Sequence, residues 1–569
     1  MKKIWMMAAA VLGLAVACVK ERRTETPAIE ETVVTYIKAD GNGDATKGSV
    51  SGTDASFSWN TGDKIAVYAD GYKISDALDA AYDGAASATF AFSGSNAVTE
   101  SARAHFAVFP SKLVFDSSDN LYTADVTEGS LKLNLPSTYT LEEVQDEVSP
   151  TPMIAVNAPD GELSFKALCP LLRITVVNIP KQTQRIEFDF NGKKVQGEFT
   201  LTDVEAGATA IETASTSGAD AIITVTMADN TVWHDQLVVN LPVPAGSYGN
   251  VTITAFDALS GGHAVLKLRQ AIKSGGWNPT RKSSRKLTAI LPVFSVSSTK
   301  KVTFAPGNLQ YQASTNTWRF AEHQYDRVGD NKGNTTTTGR ETQADWIDLF
   351  GWGTSGWDNG NSYYQPWCIS YDESSSIGNG YGPANGGNYR ISLTGEYANA
   401  DWGVYNEIGS YPANTWRTPI GDSATGSKPS EWYYLFSVRP DCRQKMSYAG
   451  VANFPGIIIL PDDFTDPCTN SIDSGAFAPM RGWYQNQYFA GGGWEAMELA
   501  GAVFLPAEGC RIGTSINHFR NNGYYWTSTT SYTNDSAYCL EFLETTRTDG
   551  DINVSRYYGC SVRLVMDLN

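Results

Sequence analysis

A chain of 569 residues is too long for one hydrophobic core, and at roughly 150 residues per domain it divides into three or four units. Its formal net charge of -18 and pI near 4.8 repel phosphate backbones and anionic lipid surfaces, which argues against nucleic-acid binding through an extended basic face. Aromatics make up 12% and Gly numbers 52 against only 18% charged residues, a balance that favours many strands and long loops over helical bundles, so the expected fold class is mainly β.

Met1-Lys2-Lys3 gives a positive start, and residues 4–17 form an uncharged run of fourteen, too short for the ~20 residues that span a bilayer. This is the pattern of an export signal (1–17). It ends Leu14-Ala15-Val16-Ala17-Cys18, which resembles a bacterial lipobox, with Ala15 where the motif more often has Leu. The resemblance implies cleavage before Cys18 and its acylation, hence lipid anchoring to the outer membrane with the body facing outward; the alternative is an ordinary signal peptide with an incidental Cys. Residues 18–30 are charged and poor in apolar groups, and read as a tether.

Cys169, Cys368, Cys442, Cys468, Cys510, Cys539 and Cys560 remain, an odd number in an exported chain. Six fall past residue 300, so up to three disulfides are expected there, with pairing open. No two have zinc-knuckle spacing and the five His are scattered, so no metal or other cofactor is expected.

From Thr32, short runs alternate apolar and small polar residues between Gly, Asp and Pro turns: 33–38, 57–59, 64–68, 88–92, 105–109 and 131–135 predict one β-sandwich over 31–162. Runs at 171–177, 186–190, 221–227, 237–241, 251–256, 264–268 and 287–291 predict a second over 163–292. Helix is expected only in short pieces such as 141–148. The phrases Phe57-Ser58-Trp59, Phe165-Lys166-Ala167-Leu168-Cys169-Pro170 and Leu241-Pro242-Val243-Pro244-Ala245-Gly246 stand in the order that resembles the fimbrillin-like lipoproteins of Gram-negative anaerobes. That resemblance implies two tandem transthyretin- or immunoglobulin-like sandwiches used in surface appendages or stalks.

Residues 293–299 read as a Ser/Val linker, and beyond it composition shifts: 11 of the 15 Trp lie past residue 300. A helix is expected over 430–439, with Ser430 as N-cap and Trp432, Leu435 and Phe436 on one face. Trp416-Arg417-Thr418-Pro419, Glu431-Trp432, Gly523-Tyr524-Tyr525-Trp526-Thr527-Ser528 and Ser561-Val562-Arg563 resemble the Fibrobacter-type major paralogous domain and, more distantly, the C-type-lectin-like fold. The resemblance covers 300–569 and implies an α+β head. The calcium-lectin triplets are missing from it, and Cys539 and Cys560 stand too far apart in sequence for the reactive pair of formylglycine-generating enzymes.

Trp416, Trp432 and Trp526 are expected in the core, with Arg417 paired to Glu431 or a carbonyl. A ligand surface is expected on 517–538 and 548–557, where Asn517, Asn521, Asn522, Tyr524, Tyr532, Asn534, Asp535 and Tyr557 combine stacking area with adaptable hydrogen bonds. These features predict a non-enzymatic lipoprotein that displays a binding head for a glycan or a host or bacterial protein. Two alternatives stay open: a pilus tip or accessory subunit assembling with other subunits by strand exchange, and a polysaccharide-acting enzyme carrying paired carboxylates.

Overall fold

The computed structural model describes most residues between 35 and 568; residues 1–34, 45–58, 99–105, 112–130, 145–151, 202–210, 228–235, 369–391, 422–429, 465–486 and several shorter stretches, 532–535 among them, lie outside the described set. The chain is mainly β, with strands gathered in several sheets and only short helices.

The first sheet has seven strands in the order Tyr72–Ile74, Ala66–Tyr68, Phe106–Phe109, Met153–Asn157, Glu162–Ala167, Thr35–Asp44 and Ser87–Phe92. Thr35–Asp44 (β1) is antiparallel to Ser87–Phe92 and parallel to Glu162–Ala167. Alternation in Ser87–Phe92 turns Ala88, Phe90 and Phe92 inward, as a period of two requires. Trp59 anchors this core, meeting Phe90, Phe109 and Phe165 edge-on at 4.9, 5.3 and 5.5 Å.

A second group comprises a three-stranded sheet (Gln236–Pro242, Leu171–Val177, Ser284–Ile290) and a five-stranded one (Ala264–Ala271, Asn250–Asp257, Thr183–Asp189, Ile222–Thr226, Thr138–Thr140). One core cluster takes Ile174, Val239 and Ala289 from the first and Phe188, Val225 and Ile253 from the second. Three strands cross the expected division at 162/163, the first being Leu131–Leu135, which pairs with Gly197–Leu201. Glu162–Ala167 hydrogen-bonds into the seven-stranded sheet, whereas Thr138–Thr140 joins the five-stranded one by pairing with Ile222–Thr226. The helix expected at 141–148 is one turn, Leu141–Val144.

Residues 293–299 are not an open linker. Phe294–Ser295 pairs with Lys301–Phe304, which pairs with the C-terminal strand Val565–Asp567, and Val293, Phe294 and Val296 are buried. The apolar half of that Ser/Val pattern was the signal for a strand.

The last unit contains the antiparallel sheet of Leu309–Gln312 (β2), Thr317–Phe320 (β3) and Trp346–Ile347 (β4), with β2 central. It also contains the sheet of Asn522–Thr530 (β5), Ser536–Leu543 (β6) and Arg547–Ser555 (β7). All nine residues of β5 are buried. Tyr524 and Trp526 enter the core cluster that continues from the preceding sheets, and Tyr525 enters another with Leu540 and Phe542, so both faces are covered and no polar alternation appears. Ser430 does cap a helix by accepting from Tyr433 N; after Glu431–Tyr433 the turn widens to π geometry over Tyr434–Val438, with Trp432, Leu435 and Phe436 buried.

The expected disulfides are not formed among the described cysteines, Cys169, Cys368, Cys442, Cys510, Cys539 and Cys560, and Cys468 lies outside the described set. Cys539 and Cys560 share one core cluster and their thiols come within hydrogen-bonding reach without being joined. Cys539 pairs with Trp526 on one side of β5, while the neighbouring Ser561 bridges to Tyr525 on the other. Burial, then the adjacent Cys539, holds the Cys560 thiol well above its usual range, and burial pushes Cys510 up to about 12.

Candidate functional site

The predicted ligand residues are dispersed. Asn521 is exposed, Asn517 and Tyr557 are half-buried, and Tyr532, Asn534 and Asp535 lie outside the described residues. Asn522 and Tyr524 are not exposed tips: they are 6% and 7% accessible, and Asn522 Nδ2 donates to Tyr524 Oη and to Glu541 Oε1, both at 3.0 Å. They begin β5, whose two covered faces draw them inward. Cys18 also lies outside the described residues. The acidic stretch 549–553 is part of β7, paired with β6, rather than a loop.

The framework side chains fall where the sequence placed them. Trp416, Trp432 and Trp526 are buried. Arg417 meets Glu431 with a two-pronged contact, Nη2 to Oε1 at 2.7 Å and Nη1 to Oε2 at 2.8 Å, and its Nε and Nη2 also reach the Asp567 carboxylate. Arg563 is fully buried and donates to Asn308 Oδ1 at 3.3 Å and to Gln324 Oε1.

A cleft of about 520 Å³ opens between the β3-β2-β4 sheet and the segment 322–328. Its floor follows from strand alternation. Tyr311, Trp318 and Ile347 turn to the buried face, which leaves Gln310 on β2, Arg319 on β3 and Trp346 on β4 facing the cleft. The Arg319 guanidinium lies 3.6 Å from the Trp346 ring centroid and its Nε donates to Gln310 Oε1 at 2.9 Å, so the three side chains form one braced platform.

The opposite wall carries Glu322, Asp326 and Arg327, with Asp345 at the rim of β4. Asp326 closes a tight turn by accepting His323 N at 2.9 Å. Arg327 stacks on Phe454 at 3.7 Å and reaches towards Phe519 at 5.9 Å, which sets the wall against the 517–521 turn. Burial holds the Arg327 pKa below its ordinary value, and the nearby Glu508, Asp348 and Asp326 charges oppose that shift.

Beneath the wall, two fully buried carboxyls hold the segment in place. Asp348 accepts from Val328 N and, at 2.6 Å, from Asn334 Nδ2, whose amide also donates to Gly329 O at 2.9 Å. Glu508 accepts from Ser561 Oγ at 2.8 Å and lies within hydrogen-bonding reach of Asp348. Burial raises both, Asp348 to about 6 and Glu508 well above the carboxylate range, the second further lifted by the Asp348 charge. One proton shared between them is the arrangement that fits.

The cleft does not stand out in the sequence. Its signal was Trp318-Arg319-Phe320, where one outward Arg stands between a buried and a half-buried aromatic, but the partner Trp346 is far along the chain and its pairing through β2 is not readable from spacing.

No family model and no curated protein matches this sequence. Among solved structures, a candidate cell adhesion protein from Bacteroides ovatus is similar at 12% identity over 45% of this chain and 92% of its own, with a TM-score of 0.27. The tip fimbrial protein Mfa3 from Porphyromonas gingivalis, truncated at its C-terminus, is 12% identical over 44% of this chain and 87% of its own, at 0.18. A fimbrial protein from Bacteroides ovatus spans 94% of this chain and 99% of its own at 11% identity and 0.17. Scores of this size do not establish a shared fold.

Proposed function

We propose that this protein is a lipid-anchored surface adhesin: the β-sheet units that precede residue 293 carry a C-type-lectin-like head, whose cleft binds a partner. The observation that supports a binding head is the platform of Gln310, Arg319 and Trp346, a braced recognition surface in which the guanidinium is held flat on the indole and hydrogen-bonded to the amide. The anchor is Cys18. Replacing it with Ser should release the chain from membrane pellets into the medium and abolish adhesion of the expressing cells to immobilised glycans and host proteins, while the soluble whole chain competes with wild-type cells. Retention of the C18S chain in membranes, or equal adhesion of cells with and without the protein, would overturn this reading.

A second reading rests on β1. It is the first described strand after the tether and pairs on both sides, with Ser87–Phe92 and with Glu162–Ala167. Its departure would leave a two-sided vacancy for a strand from another subunit, as in pilus assembly. Removal of residues up to 44 should then produce ladders of multimers resistant to mild detergent; a monodisperse product would exclude it.

A further inference from the structure

We propose that the cleft between β3-β2-β4 and the segment 322–328 binds a neutral saccharide, an inference that rests on the head being the binding part of the molecule. The reasoning starts from the lining. At about 520 Å³ the cleft falls in the size range of small-ligand sites, ~300–1,000 Å³, but such sites are usually lined mainly by apolar groups. Here most of the lining groups are polar, and they are of two kinds. Glu322, Asp326 and Asp345 only accept hydrogen bonds when ionised, and Arg319 and Arg327 only donate.

A ligand that satisfies both kinds must donate and accept from neighbouring atoms, which is the property of a vicinal polyol. Charge selects further. Two guanidiniums against three carboxylates leave the lining at about -1, on a chain whose net charge is -18, so a carboxylated or sulfated sugar would enter against the field.

The donors are available. Arg319 uses only Nε, on Gln310, and neither arginine forms an ion pair among the described residues. Each is instead held flat on an aromatic ring, Arg319 on Trp346 and Arg327 on Phe454, so their planes are fixed before the ligand arrives and little side-chain entropy is lost on binding.

The test uses the whole chain without its signal peptide. Binding is measured by calorimetry against neutral gluco-, galacto- and manno-oligosaccharides and, in parallel, against sialyllactose and a heparin-derived oligosaccharide. At least one neutral series should bind and the anionic pair should not. Trp346→Ala and Arg319→Ala should each weaken that binding tenfold or more, and Arg319→Lys, which keeps the charge but loses the flat fork, should weaken it too. Thermal melting of each variant within a few degrees of wild type confirms that the sheet persists.

Failure of every neutral saccharide to bind, or preference for the anionic pair, overturns the ligand class. Neutral binding that survives all three substitutions in folded protein overturns the site while leaving the adhesin reading intact. If C18S cells still adhere to nothing that wild-type cells adhere to, yet no saccharide binds, the adhesin reading stands and this inference falls.

Discussion

At the scale of single residues, charge is placed where backbone and aromatic framework can use it. Arg417 sits between Glu431, which is 5% accessible, and Asp567 on the C-terminal strand, and so joins the capped helix to the end of the chain. Truncating it strands a buried carboxylate, a loss that costs roughly 3–5 kcal/mol where one partner of a buried pair is removed. Arg417→Ala should therefore lower the denaturant midpoint sharply. Arg417→Lys should recover only part of the loss, because an ammonium cannot serve both oxygens of Glu431 and Asp567 in one plane. The pairing was legible from Arg417 and Glu431 standing beside buried Trp416 and Trp432. Tyr524 was misread for an equally local reason: a Tyr after Asn-Gly looks like a loop tip until a second layer covers the strand, so Tyr524→Ala is now expected to destabilise the protein.

At the scale of elements, the cleft wall depends on the state of the buried acid pair. Asp348 holds Val328 and Asn334, and Glu508 holds Ser561, so the pair links 328–334 and β4 to the segment after β7. Both carboxyls have folded pKa values raised above their unfolded ones, Asp348 to about 6. A raised value means that folding takes up a proton, so the pair's contribution is complete below the unfolded range near 4 and is lost as pH rises through the folded values. Asp401, raised to about 6 by burial although the Gly403 and Thr418 amides pull it down, acts in the same direction. Melting temperature should accordingly fall as pH rises from about 4 through about 6, and continue to fall above that as Glu508 loses its proton. Glu508→Gln keeps a donor for Asp348 and an acceptor for Ser561 without a charge, and should flatten part of that fall; an unchanged slope would mean that the pair is not the titrating group. None of this was legible in sequence, where Asp348 and Glu508 stand 160 positions apart with no shared pattern.

At the scale of the whole molecule, strand content was legible because alternation is local, whereas the borders between units were not because strand exchange is a long-range choice. Ser87–Phe92 could be read from its own six residues; the assignment of Glu162–Ala167 to the first sheet and Thr138–Thr140 to a later one could not. The same limit hid the junction at 293–299, whose short polar look concealed a strand. Here Val293 continues a core cluster that runs from Ile174 to Trp526, Asn178 accepts from Lys301 Nζ at 3.0 Å and donates to Leu291 O at 3.2 Å, and Tyr411 Oη donates to Ala264 O at 3.4 Å. A head cut free at residue 300 would expose that apolar seam to water, at about 25 cal/mol for each Å² uncovered, and would lose the strand Phe294–Ser295 from its terminal sheet. The first core, built around Trp59, forms a separate cluster. Fragment 131–569 should therefore melt cooperatively at a higher temperature than fragment 300–569, and native proteolysis should spare 293–299. A 300–569 fragment that melts as high as 131–569 would show that the head stands alone and that the shared seam contributes nothing to its stability.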